Sequence, residues 1–232
     1  MDVSNKEFLQ AIFGEEWNKA HVTAFSDDPS DIKNDRRAAC WAGGSAKPRT
    51  LRSFKPEQNQ YFTISLFKPD EKGQQRRKKD LFDACFVMVV DDVNEKIPEA
   101  NAKRLPEPSY KLFTSAGSEQ WGYILETPEE SRERTDNLLD GLVAKGLAPD
   151  GKDPGMKGVT RYVRMPEGSN TKKNRYVDGK PFSCYMSEWN PDRLHRIEDL
   201  ALAFDIDLDA PRNDGITNNV SGDNVVYLNH PI

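Results

Sequence analysis

Apolar side chains fall at helical spacing over residues 5–20, with Phe8, Ile12 and Phe13 on one side, so this stretch predicts an amphipathic helix. From Tyr61 to Phe67 the pattern switches to alternation, and Phe62, Ile64 and Leu66 would share one face of a strand. Residues 84–93 are nearly all apolar until Asp91, as expected for a strand covered on both faces. Residues 110–114 and 121–126 predict two further strands. The small residues between them, Ser115 to Glu119, predict a hairpin turn. Thr127-Pro128-Glu129-Glu130 reads as a helix start: an N-cap hydroxyl, Pro at the first position and a carboxylate to close a capping box. That helix should run to about Lys145, bury Leu138, Leu139, Leu142 and Val143, and stop at Gly146. Residues 162–165 predict a short strand ended by Pro166. Asn190-Pro191-Asp192 predicts a last helix with Leu194, Ile197, Leu200 and Phe204 on its stripe.

The intervening stretches are polar. Residues 26–59 read as a long irregular connection holding Trp41, 68–80 as a basic loop, and 150–158 as a Gly/Pro loop. No internal repeat is visible. The mixture predicts an α/β (α+β) fold with a mostly antiparallel sheet. It divides into a domain over 1–209, with 1–59 as a helical and irregular entry and 60–209 as the core, and a flexible tail or linker over 210–232.

Composition narrows the picture. Apolar residues are 36% of the 232 and charged residues 31%, below and above the globular norm. Mean hydropathy is -0.78, yet the apolar runs argue against wholesale disorder. No stretch approaches the ~20 apolar residues that cross a bilayer, and the N-terminus has no basic-then-apolar signal pattern, so no membrane partner is expected. Three cysteines (Cys40, Cys85, Cys184), far apart, point to a reducing cytoplasm rather than a disulfide framework, and no Cys/His spacing suggests zinc. His21, His195 and His230 are scattered, so a Ser/His/Asp or Cys/His hydrolase finds no support.

Net charge is -5, but its distribution matters more than its sum. Residues 157–180 carry seven basic residues (Lys157, Arg161, Arg164, Lys172, Lys173, Arg175, Lys180) against Glu167 and Asp178. Arg76, Arg77, Lys78 and Lys79 form a second basic cluster. Either could be a solvated loop or a nucleic-acid contact.

Asp91 and Asp92 end the most apolar strand. Carboxylates there are costly unless hydrated, paired or bound to a cation, and hard divalent ions take oxygen ligands. Successive strand residues point to opposite faces, so the two can address one site only if the strand bends, bulges or ends there. Ordinary strand-ending aspartates are the plain alternative. Asp153, before Pro154-Gly155, is a candidate third carboxylate, with Asp150 its competitor. Arg164 precedes the loop 167–173, whose Gly, Ser and Lys residues could cradle a triphosphate, although no Walker A pattern is present.

The order of these segments is more specific than any one of them. An apolar strand ending in Asp91-Asp92, then Ser-Tyr-Lys-Leu-Phe-Thr-Ser-Ala-Gly-Ser-Glu-Gln-Trp-Gly-Tyr (109–123), then Asp153-Pro154, then Arg-Tyr-Val-Arg-Met-Pro-Glu-Gly-Ser-Asn-Thr-Lys (161–172) resembles the archaeo-eukaryotic primase superfamily. The likeness is to catalytic domains of phage and plasmid primases and primase-polymerases, in particular the RepB-like group, over roughly residues 60–205. It implies a two-lobed fold with an RRM-like sheet, and template-directed nucleotidyl transfer in phage or plasmid replication, in a bacterial host's cytoplasm. It implies Asp91, Asp92 and Asp153 as catalytic ligands of two Mg²⁺ or Mn²⁺ ions. Ser115, Gln120, Arg161, Arg164 and Lys172 would bind the nucleoside triphosphate. Arg76, Arg77, Lys78, Lys79, Lys173 and Arg175 would contact the single-stranded DNA template. A replicative helicase, fused or separate, is the further partner implied. The sequence departs from the family's pattern in two places: Ser115 to Gln120 holds no histidine, and the first motif is Asp-Asp rather than Asp-x-Asp. A non-catalytic single-strand or origin-binding module and a metal-dependent nuclease are the alternatives.

Overall fold

A computed structural model describes residues 1–148 and 158–212. The order along the chain is α1 (Asn5–Phe13), β1 (His21–Phe25), α2 (Asn34–Ala42), β2 (Gly44–Ser45), α3 (Pro48–Arg52), β3 (Asn59–Thr63), β4 (Ser65–Phe67), β5 (Phe82–Val93) and α4 (Glu99–Ala102). It continues through β6 (Tyr110–Ser115), β7 (Ser118–Glu129), α5 (Arg132–Ala144), β8 (Tyr162–Arg164), β9 (Ser169–Asn170), β10 (Phe182–Ser183), β11 (Tyr185–Trp189) and α6 (Ile197–Ala203). Among the described residues these strands make two main antiparallel sheets, of order β2-β1-β3-β8 and β11-β6-β7-β5-β4, and a β9-β10 ribbon. The expected mixed α/β architecture with antiparallel sheets is the one observed. No helix among the described residues is long and apolar enough to cross a membrane.

The sheets are joined both covalently and by hydrogen bonds at Ile64. The chain leaves the first sheet at Thr63 and enters the second at Ser65, so Ile64 is the crossover. Its carbonyl accepts from Phe86 N (3.0 Å) in the second sheet, and its N–H donates to Arg161 O (3.4 Å) just before β8. Phe62, Ile64 and Leu66 are all at 1% exposure or less, in one core with Phe8, Val87, Met88, Val89, Tyr110 and Leu138. A second cluster, Phe25, Ile32, Cys40, Trp41, Tyr61 and Tyr162, fills the first sheet's other side.

α1 starts on a capping box between Ser4 and Glu7 and buries Phe8, Ile12 and Phe13 as expected, but it ends at Phe13 and a 3-10 turn follows. Residues 26–59 are not irregular: they hold α2, β2 and α3, and Trp41 packs 4.8 Å from Phe25, ring to ring. β1 is not foreshadowed by the sequence pattern, because a strand buried along nearly its whole length shows no alternation to read.

The α5 start lies later than the pattern predicts. β7 extends to Glu129, paired with Cys85, and Ser131 is the N-cap, accepting from Arg134 N at 3.3 Å. Sheet pairing outweighs the Thr127 cap. Leu138, Leu139 and Leu142 are buried, Val143 only partly, and Gly146 takes the left-handed turn at φ +70°. The last helix is also shorter. His195 N donates to Ile124 O and Glu126 N to His195 O, both at 2.9 Å. The 190–195 backbone is therefore spent along β7, leaving Leu194 exposed, and α6 begins at Ile197. The chain then runs back along α5, where the Asn137 amide donates to Leu208 O and Ala210 O and Arg212 pairs with Asp140. Residues 150–157 of the expected 150–158 loop and 213–232 of the expected 210–232 tail lie outside the described residues.

His21, at the start of β1, is 3% exposed and packs edge-on against Phe67. Burial, helped by the nearby Arg77, pulls its pKa down to about 4. The unfolded chain takes up this proton near pH 6.5, whereas the folded protein resists it until about pH 4. Stability should therefore fall as pH drops through that window, by up to about 3 kcal/mol from this group. A His21→Leu variant should lose less Tm than the parent between pH 6.5 and 4. Equal losses would assign the acid sensitivity to the carboxylates.

Candidate active site between the two sheets

β5 does not end at Asp91-Asp92; it bulges there. Val90 pairs with Trp121 and Val93 with Glu119, so three steps on β5 oppose two on β7. Asp92 absorbs the extra residue in the left-handed region, at φ +56°, which aspartate tolerates better than most side chains. Its carbonyl accepts from the N–H groups of Glu95, Lys96 and Ile97 at 2.9–3.2 Å, closing a tight turn. Strict alternation is broken where both carboxylates must serve one site.

Asp91 is gripped from three directions. Its N–H donates to Leu147 O (3.2 Å), its Oδ1 accepts from Asp92 N (3.1 Å), and its Oδ2 faces Arg161 Nη2 at 3.3 Å. Arg161 is 3% exposed and also donates through Nη1 to Val89 O at 3.1 Å. Its guanidinium is thus engaged with β5, and it sits there because the Ile64 crossover brings the residue before β8 against that strand. Asp92 Oδ2 meets Lys96 Nζ at 2.6 Å, and Ser118 Oγ lies 3.5 Å from Oδ1. Side-chain exposure is 19% for Asp91 and 25% for Asp92, so both remain open to solvent.

Lys172 is partly buried. Desolvation and the Arg164 charge lower its pKa, while Asp92 and Asp91, close enough to act on it, oppose that shift. Arg175 pairs with Glu95 on the turn after Asp92, tying the basic segment to the bulge. Lys173 is exposed, and its N–H donates to Asp28 at 2.9 Å.

Arg164 is 8% exposed and donates through Nη1 to Asn59 Oδ1 (3.2 Å) and Ser169 O (3.0 Å), with its guanidinium over the Tyr61 ring at 4.9 Å. It anchors the 167–172 loop to the first sheet. Gln120 uses both ends of its amide on the Arg164 backbone, Oε1 accepting at 3.0 Å and Nε2 donating at 3.2 Å. Gln120 therefore ties the two sheets together, as a 1% exposed amide must, since every buried polar atom needs a partner. Ser115, at the hairpin, is buried, and its Oγ has no partner among the described residues.

The 76–79 cluster divides. Arg77 lies over the Tyr162 ring at 4.3 Å and donates to Thr160 O and Trp41 O, so its charge is held inside the first sheet's packing. Arg76 pairs with Asp70 at 2.7 Å; Lys78 and Lys79 are exposed. Asp153 and its competitor Asp150 lie outside the described residues, and among the described residues no three His, Cys, Asp or Glu side chains group as a metal site. Lys96 and Ser118 carry no signal in the sequence. Both touch Asp92 only because of the bulge, which no periodicity announces.

No family model matches the chain, and no curated protein matches it. Solved structures do. The chain is similar to the AEP domain of the primase-polymerase of cyanophage S-2L, with a TM-score of 0.58 at 12% identity, covering 85% of this chain and 94% of that one. Two structures of the primase RepB' also match, with TM-scores of 0.47 and 0.46 at 16% and 15% identity. Each covers 85% of this chain, against 62% and 93% of theirs; the second is a catalytic domain in complex with initiator DNA. The two antiparallel sheets that meet at Ile64 thus make a fold similar to that of the cyanophage primase-polymerase AEP domain.

Proposed function

We propose that this protein is a divalent-metal-dependent nucleotidyltransferase that primes and extends DNA on a single-stranded template. The observation that carries the reading is the bulge at Asp92, which gives two partly exposed carboxylates on adjacent residues, with the basic segment 172–175 tied to the following turn by the Arg175–Glu95 pair. The fold, shared with a phage primase-polymerase domain, supports it.

The donor set suits a hard cation. Asp91 and Asp92 offer oxygen only, the Ser118 hydroxyl is adjacent, and each carboxylate keeps lone pairs beyond those used by Arg161 and Lys96. Asp153 is the proposed third ligand by its place in the motif order. Mg²⁺ or Mn²⁺ bound there would activate a 3′-oxygen and stabilise departing pyrophosphate. Lys172 would neutralise the triphosphate, while the Ser115 hydroxyl, unpartnered but buried, would not reach it directly. Arg161, Arg164 and Gln120 would act indirectly, holding Asp91 and the 167–172 loop in place. Lys78, Lys79 and Lys173, all exposed, remain for the DNA backbone. Phage or plasmid origin, a bacterial cytoplasm and a helicase partner belong to the same proposal.

A second reading has its own support: both aspartates have a cationic partner within the chain, and the Ser115–Gln120 segment lacks a histidine. That fits a single-strand-binding module without catalysis. Incubation with circular single-stranded DNA, labelled nucleotides and Mg²⁺ or Mn²⁺, without primer, separates them. Labelled product is the expected result. Product only with a supplied primer would reduce the activity to polymerase. No product, with DNA affinity that falls steeply with salt, would leave the binding module.

A further inference from the structure

We propose that Phe113 and Tyr185, extended by Phe182, form a platform on which bases of a single-stranded nucleic acid stack. This rests on the nucleic-acid reading above and adds to it a binding surface away from the carboxylates.

The rings of Phe113 and Tyr185 stack at 4.8 Å between centroids and 22° between planes, and Phe182 lies 6.0 Å from Tyr185. Phe113 and Phe182 are half-buried and Tyr185 is 48% exposed; none of the three belongs to either core cluster. β11 is the edge of the five-stranded sheet. Tyr185 stands on that edge, Phe113 on the neighbouring β6 and Phe182 on β10, so the ladder crosses from the sheet to the ribbon.

Register fixes the face that carries the ladder. Tyr185 pairs with Phe113 and Phe113 with Glu119, so these side chains share the face of the five-stranded sheet opposite the one that Val89, Asp91 and Gln120 present to the first sheet.

Charge favours the same occupant. The β9-β10 ribbon is bound to β6 through the Asn170 amide on Thr114 O at 2.7 Å. The chain joining its two strands carries Lys172, Lys173, Arg175 and Lys180 against Asp178. Cations beside exposed rings are the pattern that holds single strands without reading their sequence, the rings taking base faces and the cations phosphates.

The test is binding of a fluorescent oligothymidylate, without nucleotide or metal, to the full chain and to Tyr185→Ala, Phe113→Ala and Tyr185→Phe. The two alanine variants should raise Kd roughly tenfold each, with the slope against salt unchanged, because stacking releases no counterions. Tyr185→Phe should bind as the parent does. A Tyr185→Trp variant gives an independent readout: an unlabelled oligonucleotide should quench its added indole emission. Unaltered Kd in both alanine variants, no quenching in the Tyr185→Trp variant, or no binding by the parent would overturn the platform. Primerless synthesis is measured separately, so a parent that synthesises DNA while its Tyr185→Ala variant binds normally loses the platform and keeps the enzyme. Quenching in Tyr185→Trp and weak binding in the alanine variants, with no synthesis by the parent, does the reverse.

Discussion

Asp91→Asn is expected to lower nucleotide incorporation by roughly 10²–10³-fold or more, the scale seen when one charge-stabilising group is removed from a reaction centre. The fold should survive. The amide is isosteric and still presents one oxygen to Arg161, and the Leu147 carbonyl still accepts the N–H at this position. Asp92→Asn should behave likewise, since asparagine also tolerates the φ of +56° that the bulge requires. Alanine there would add backbone strain to the loss of the carboxylate and blur the result. Primer-extension rates with Mg²⁺ and with Mn²⁺, read beside thermal melts, make the comparison. Synthesis at the parent's rate in either asparagine variant would remove the carboxylates from the chemistry.

Arg161→Leu should have the largest effect on stability. The side chain is 3% exposed and its charge is met by Asp91 and Val89 O. Removing one member of a buried pair strands the other, at about 3–5 kcal/mol; Asp91 keeps 19% of its side chain exposed, which favours the lower end, about 3 kcal/mol. For a chain of this size that is a fall in Tm of about 6–12 °C. Activity should drop as well, although Arg161 cannot reach a substrate from its buried position, because Asp91 loses the contact that orients it. The double variant Asp91→Asn/Arg161→Leu should be less destabilised than the sum of the two single changes, since the second substitution then strands no charge. Simple additivity would mean that the two groups do not act as a pair.

Much of this architecture is legible in residue order. The apolar run ending in Asp91-Asp92, the 110–126 hairpin, the buried face of α5 and its stop at Gly146 follow from periodicity and turn chemistry, which are local properties of the chain. So does the gathering of basic residues between 157 and 180. The departures share one cause. β1 has no local signature, α5 starts later than its Thr127 cap suggests, and α6 begins at Ile197 rather than at Pro191. In each case a strand pairing with a distant partner decides the outcome: β1 against β3, Glu129 against Cys85, His195 against Leu125.

What the amino-acid order determined by itself is the inventory: adjacent carboxylates at the end of a buried strand, a cationic segment, and a mixed α/β chain that carries both. Only the tertiary structure decided how that inventory is divided. It turned Arg161, Arg164, Gln120 and Arg77 inward as supports and tied the basic segment to the turn after Asp92 through Arg175 and Glu95. It also brought Lys96 and Ser118 to Asp92 through a bulge. The physical reason is that a buried charge or amide must find its partner wherever packing puts one, and that partner lies tens of residues away along the chain, beyond the reach of any local pattern.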